Sequence, residues 1–524
     1  MKPVKTILFL VFVVSSTWSL LGFAEQKKVS INSINWQGNS AISDVGLNSV
    51  ALPLLKEPVT FEELQQVTKA VTSYYRSQGY YLTQAQLPPQ TLINGALNVK
   101  VIEGFIEAAN LQQPLINQTP IEGYIAPLVG VHAANIKDLE LVLLGLNSLP
   151  GIQASASVAA GNAGVGSSML VFDVAPLSPY GNITIDNRGT DLVGPTQINA
   201  LWVVPHWNDW SDELSVGAST TAQNEELAAY NLGYKRAINN TVQWGLSLSK
   251  STAKPGSVVK ALALVNENLG LSASLDINLL RQRHLNKSVK LSLHVNKATA
   301  NAAGAQISQD KLRSLKLLYV QDHQLSSGSM NWQVGIHQGL IIAGGSKQGS
   351  NILSRPSANL KFNKLIGQLN HVRIIPVAQA DTGQWLMSTS IKGQYSGHNL
   401  PASEEFSVGG AEFGKAYDGG AIAGDSGVAV GVEFSHIDSQ AKGWKATLAS
   451  KLFLEAGWAK QNDPAVGVAS RAKLASAGFG WSWSSSDGLQ ISWLTAKPIW
   501  LDIVSQHTGE QRNLRSFVNL SKSF

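Results

Sequence analysis

From about Tyr180 to the end of the chain, apolar and polar residues alternate with a period of two. In "VQWGLSLSK" (242–250), Val242, Trp244, Leu246 and Leu248 share one face, while Gln243, Gly245, Ser247 and Ser249 share the other. In "SVKLSLHVN" (288–296), Val289, Leu291, Leu293 and Val295 oppose Ser288, Lys290, Ser292, His294 and Asn296. "QINALWVV" (197–204), "VAVGVEF" (428–434) and "SAGFGWSW" (476–483) repeat the pattern. Successive strand residues point to opposite faces, so each segment predicts a strand with one apolar and one small or polar face. Segments of ~10 residues with that alternation mark a transmembrane barrel. The runs number sixteen if 359–376 is one strand and seventeen if it is two. Closure of a single-chain bacterial barrel favours an even number, so sixteen is expected.

Residues 28–175 have a different rhythm. "VSINSINWQGN" (29–39) alternates and ends in a turn. "TFEELQQVTKAVTSYYRSQGY" (60–80) has helical spacing through Leu64, Val67, Val71 and Tyr74/Tyr75, with Thr60 placed as N-cap and Gly79 as stop. "ALNVKVIEG" (96–104) returns to period two. A looser second round follows, with a helix and turn in "IKDLELVLLGLNSLPG" (136–151) and a strand pair in "IQASASVAA" and "SSMLVFDV". Two small α+β modules in tandem are predicted.

A soluble β-sandwich would alternate as well, and three features favour the membrane. The N-terminus reads as a secretory signal: Lys2 and Lys5, the apolar run "ILFLVFVV" (7–14), and small residues Gly22 and Ala24 before cleavage at Glu25. Charged residues make up only 14%, against ~25% in ordinary soluble proteins. Tryptophans 202, 207, 210, 481, 483 and 493 fall near strand ends, where an interfacial girdle would place them. After residue 24 there is no run of about 20 apolar residues. A closed barrel is then the remaining way into a bilayer.

Charge and cysteine content exclude several functions. The net charge of +5 falls to +3 once Lys2 and Lys5 leave with the signal, and no block of five like charges occurs, so no nucleic-acid partner is expected. With no cysteine in the chain, disulfides, thiolate catalysis and Cys-based metal sites are impossible. There is no hydrolase triad or HExxH motif, and the ten histidines show no ligand spacing, His284, His294 and His337 among them. No catalytic residue, metal or cofactor is expected.

One stretch invites a chemical reading. In "SVGGAEFGKAYDGGAIAGDSGVAV" (407–430), the run from Gly409 fits the phosphate-cradling P-loop pattern as far as Lys415. Ala416 then stands where the Mg²⁺-binding hydroxyl belongs. A P-loop also needs a helix after it, whereas "VAVGVEF" alternates as a strand. Nucleotide binding is set aside.

These residues resemble the outer-membrane transporters of two-partner secretion, of the haemolysin-activation and haemagglutinin-secretion type, from about residue 28 to the C-terminus. "GYYLTQAQLPPQTLINGALNVKVIEGFI" (79–106), with its double proline and closing "VIEG", is similar to that family's first POTRA domain. "LNSLPGIQASASVAAGNAGVGSSMLVFDV" (146–174) is similar to its second, although Ala160 replaces the usual proline. The resemblance divides the chain into a signal peptide (1–24), POTRA domains at 25–106 and 107–176, and an outer-membrane barrel at 177–524. "SEEFSVGG" (403–410) resembles the approach to the family's long sixth loop, here about 397–427.

That loop carries an arginine–aromatic signature at its tip, so Lys415 would take the arginine position and Tyr417 the aromatic one. Gly409, Gly410, Gly414, Gly419, Gly420, Gly424 and Asp425 would form its turns and hinges. In the family the loop arginine pairs with the acid of a Phe-x-Asp motif on the barrel wall, a place taken here by Phe453-Leu454-Glu455. Parity agrees: Trp444, Leu448, Leu452 and Leu454 face one way, and Lys445, Thr447, Lys451 and Glu455 the other. Lysine is a point charge rather than a fork, so the lock implied is looser, and Lys415 and Glu455 as separate solvated lumen charges remain an alternative. If they pair, exchanging their charges is expected to recover part of what either single loss removes.

The family resemblance implies a monomeric transporter that secretes one large β-rich exoprotein, an adhesin or haemolysin with an N-terminal secretion domain. Its POTRA domains would lie in the periplasm and capture the unfolded partner along a sheet edge. The barrel would contact outer-membrane lipid. Phe524 resembles the terminal aromatic read by the barrel-assembly machinery, though Lys522 interrupts the apolar pattern. Only "EQKK" separates Glu25 from the first strand, so a plug helix is not expected. Two alternatives are a barrel-insertion relative and a passive porin-like channel.

Overall fold

The computed structural model describes residues 28–524 apart from 56–57, 114–118, 209–210, 223–225, 343, 378–382, 439–445, 465–468 and 503–512. The expected signal peptide, Trp210, Trp444 and Lys445 lie outside the described residues.

The first module has a three-stranded sheet in which Ala96–Ile102 lies between parallel Ser33–Gln37 and antiparallel Gln84–Gln86. Helix Phe61–Ser77 packs on it because Leu64, Val67, Val71 and Tyr75 fall on one stripe and bury against Leu97, Val99 and Val101. Its start is fixed by a capping box: Glu63 N donates to Thr60 Oγ1 at 3.3 Å, and Thr60 N donates to Glu63 Oε2 at 2.7 Å. Gly79, in left-handed backbone at φ +96°, ends it.

The "VIEG" acid is part of this framework. Glu103 accepts from Ser40 N at 2.8 Å, Ala41 N at 2.9 Å and Tyr75 Oη at 2.8 Å, and from the Ser40 hydroxyl. Burial pushes its carboxyl up, but the hydrogen bonds outweigh burial and hold it below the ordinary 4.5. A lowered folded pKa stabilises the module above about pH 4.5, and that contribution is lost as pH falls through the folded value. Glu103→Gln is expected to cost about 1–2 kcal/mol near neutrality, reduced from the full range by partial solvation. It should also flatten acid sensitivity below pH 5. Hydrogen exchange of the buried Val67 and Val71 amides reads both effects. An unchanged pH profile in the variant would remove Glu103 from the framework.

The second module contains helices Thr119–Ile125 and Ile136–Leu146 and a sheet in the order Phe105–Leu111, Ser167–Pro176, Ile152–Ala160. Leu139, Leu146, Leu170 and Phe172 are buried.

The remaining chain closes into a sixteen-stranded barrel with each strand antiparallel to its neighbours. The ambiguous stretch contributes one strand, Asn363–Ile375. The last strand, Arg515–Ser523, closes on the first, Tyr180–Asp186, through pairs from Asn519↔Asp186 to Ser523↔Asn182. Leu246, Leu248, Leu269, Leu271, Leu291 and Leu293 are exposed on the outer face, an arrangement favourable only in lipid. Their cross-strand registers leave Gly245, Ser247, Ser272 and His294 inside. Trp481 and Trp493 sit directly opposite one another on adjacent strands. Lys522 bonds to the Asp487 carboxylate at 2.8 Å and to Asp487 O at 2.6 Å, so the turn at 486–488 accommodates the charge that breaks the terminal apolar pattern.

Candidate functional site

The connection between the eleventh strand, Gly383–Tyr395, and the twelfth, Ser426–Asp438, is a 30-residue loop, 396–425. It folds back onto the inner wall. Its two short strands, Phe406–Val408 and Ile422–Gly424, pair as a ribbon. The ribbon seats on glycines: a Cβ at Gly427 would meet the Phe406 ring at 2.2 Å, and one at Gly457 would meet Val408 at 2.6 Å. Ile422 of the ribbon and, beyond it, Phe413, Ala416 and Tyr417 bury with the wall residues Ala429, Phe453, Ala459, Leu474, Leu494, Ala496 and Phe517.

Gly409 (φ +123°), Gly410 (+95°), Gly414 (+75°) and Gly420 (+74°) take left-handed backbone that turns the loop tip. Gly419 has open space around it, and Gly424 lies tight against the Lys460 backbone. Asp425 lies apart from the tip, fully buried beside Arg355.

The tip converges on Glu455 of the thirteenth strand, Ala446–Lys460. Leu452 and Leu454 are 63% and 56% exposed on the outer face, whereas Glu455 is 2% exposed on the inner one. Its Oε2 accepts from Gly414 N at 2.8 Å, Lys415 N at 3.0 Å and Ser476 Oγ at 3.2 Å. Its Oε1 pairs with Lys415 Nζ, which also lies 4.9 Å over the Phe453 ring, within cation–π range. The P-loop-like glycine run therefore does aim successive N–H groups at an anion, and that anion is a carboxylate of the same chain.

Tyr417 attaches the tip further round the wall. Its Oη lies 3.0 Å from Ala475 O and 2.8 Å from Trp500 O, so one proton is shared between two carbonyls. Both border a register shift where Ala475 faces Trp500 but Ser476 faces Pro498. Proline has no N–H to give the ladder, and the bulge leaves acceptors for the tyrosine. Asp418 then pairs with Arg515 of the last strand at 2.7 Å. The tip thus ties strands thirteen to sixteen.

Several of these groups escape sequence reading. Backbone donors at Gly414 and Lys415 carry no residue signature, and Ser476 and Arg515 are remote in sequence. Pro498 inside an alternating run was the one available signal for the bulge.

A closed sixteen-stranded barrel, preceded by α+β modules and filled in part by a long inward loop, defines an outer-membrane transporter. Family comparison agrees. Residues 166–483 match the haemolysin secretion/activation protein family ShlB/FhaC/HecB, and residues 29–104 match the ShlB-type POTRA domain. The chain belongs to this haemolysin secretion/activation family. It is 24% identical over 454 residues to the heme/hemopexin transporter protein HuxB of Haemophilus influenzae, covering 84% of this chain and 78% of that one. The fold is similar to CdiB from Escherichia coli, with TM-score 0.70 and 19% identity over 98% of this chain and 93% of that one. It is also similar to CdiB from Acinetobacter baumannii, with TM-score 0.65 and 16% identity over 100% and 93%. The protein is an outer-membrane transporter of two-partner secretion that exports a large exoprotein, with its POTRA domains in the periplasm.

Proposed function

We propose that the tip of the long loop is a lock on the lumen wall, formed by Lys415 and Tyr417 on the loop and by Phe453 and Glu455 on the barrel. The carrying observation is the burial of Glu455 under three hydrogen-bond donors and an ammonium group from the loop and the adjacent strand. A loop so held gives the lumen the shape that export needs, so losing either partner impairs secretion. We assign residues 25–106 and 107–176 to two POTRA domains that take up the unfolded secretion domain by strand addition, and 177–524 to the barrel. The barrel acts as a monomer and faces outer-membrane lipid with its apolar belt. Phe524 serves as the aromatic signal for the barrel-assembly machinery. We assign no catalytic chemistry and no cofactor; folding of the exported chain outside supplies direction.

The test is capture and export by the full-length protein. In detergent, it is expected to bind the exoprotein's secretion domain at least about tenfold more tightly unfolded than folded, because only an unfolded strand can join a sheet edge. Co-expression in a heterologous bacterial host is expected to release exoprotein into the medium. Equal binding of both forms would exclude capture by strand addition, and export independent of this protein would exclude the transport reading.

A further inference from the structure

A second cluster of buried charge lies at the outer end of the barrel. Asp425 directly precedes the twelfth strand, whereas Glu455 is level with Gly431 further along it. Asp425 is 0% exposed. Its carboxylate accepts Arg355 Nη1 at 2.6 Å, Arg355 Nη2 at 3.2 Å, Leu400 N at 2.6 Å and Asn462 N at 2.7 Å. The Arg355 side chain, 13% exposed, also donates to Leu400 O at 3.2 Å, to Glu405 Oε1 at 3.0 Å and to Asp463 O at 3.0 Å.

These groups come from three separate connections, 340–362, 396–425 and 461–470. The first is itself fixed to the wall. Ser354 N donates to Asp310 Oδ1 at 3.0 Å, and the Ser354 hydroxyl donates to the same carboxylate, buried on the eighth strand, Ala305–Leu325. Asn359 N adds a bond to Asn399 O at 2.7 Å. The guanidinium thus joins both sides of the long loop's root, Leu400 on entry and Asp425 on exit, to its two neighbours. None of these groups belongs to the set around Glu455.

We propose that Arg355 is a positioning residue for secretion, fastening the root of the long loop at the outer mouth independently of the lock at its tip. The ribbon then leaves the wall from a fixed point whether the tip is seated on Glu455 or away from it. A lysine could keep the charge but not span two carboxylate oxygens and a carbonyl together. The consequence for secretion rests on the lock reading, so the test separates the two.

Because the chain has no cysteine, single reporters are clean. Leu400→Cys reports the root and Ala416→Cys the tip, both side chains being buried in the parent, each labelled on intact cells with a membrane-impermeant maleimide. Arg355→Ala is expected to raise labelling at Leu400→Cys about tenfold through a larger local opening population, and to leave Ala416→Cys unchanged. Lys415→Ala is expected to do the reverse. Arg355→Lys should fall between parent and alanine at the root, with secretion per heat-modifiable barrel following the same order. Root labelling in Arg355→Ala equal to the parent's would overturn the fastening. Coupled changes at both reporters would overturn its independence from the tip. If Arg355→Ala acts at the root while Lys415→Ala leaves the tip unmoved, the lock reading fails and the fastening stands.

Discussion

Glu455→Ala is expected to lower secreted exoprotein at least about tenfold per assembled barrel, the rate equivalent of about 1.4 kcal/mol. The energy at stake is larger. Removing one partner of a buried, hydrogen-bonded pair costs about 3–5 kcal/mol, mostly by leaving the other charge unpaired. Here the change strands Lys415 Nζ and leaves Gly414 N and Lys415 N without their acceptor. Pore water relieves part of this, since Lys415 is 15% exposed on its side chain. The barrel should still assemble, because residue 455 keeps its ladder pairing between Gly431 and Ser476 with any side chain. The measurement is exoprotein in the medium, normalised to heat-modifiable barrel in the outer membrane. Wild-type secretion from a correctly assembled Glu455→Ala barrel would reduce the contact to a resting arrangement without a role in export.

The barrel was legible in the sequence because its physics is local. Each strand has lipid on one side and lumen on the other, so a period of two is imposed residue by residue. Strand length was less legible. Alternating segments of ~10 residues sufficed to cross the membrane, yet Leu285–Ala302 and Ala305–Leu325 run for 18 and 21 residues. Near their shared turn Lys297, Asn301, Gln306 and Gln309 put polar side chains on the outward face, so the ladder continues after the hydropathy signal has stopped. The doubt over 359–376 has a physical cause as well. Leu360 lies in the loop before Asn363–Ile375 but buries with Leu312 and Leu353, so it imitates strand patterning without ladder bonds.

The candidate site divides along the same line. Which wall residues face the lumen is a matter of parity, readable wherever a strand is unbroken. How the loop meets them depends on contacts far apart in sequence. Glu455 takes two of its bonds from loop backbone, and Tyr417 takes its acceptors from a bulge. Asp425, read from its place beside glycines as part of a turn, has a partner 70 residues earlier in the chain.

The charge exchange, Lys415→Glu with Glu455→Lys, is expected to secrete no better than Glu455→Ala. A pair held by charge alone would recover part of its function on exchange, as the sequence suggests. The geometry gives a different answer. Glu455 is an acceptor for two backbone N–H groups of the loop as well as for the ammonium. A lysine at 455 has three donors and no acceptor, so it would face those N–H groups donor to donor. Restoring opposite sign therefore leaves two donors unsatisfied. Lys415→Arg is a different case. A cavity of about 210 Å³ borders Lys415, Phe453 and Glu455, giving room for a planar guanidinium that can bond the same carboxylate. Secretion by Lys415→Arg is expected within about twofold of the parent, since the acceptor and its backbone donors are untouched. Recovery of more than about half of the parent's secretion by the exchanged pair would show that charge alone holds the tip and that the backbone donors at Gly414 and Lys415 contribute little.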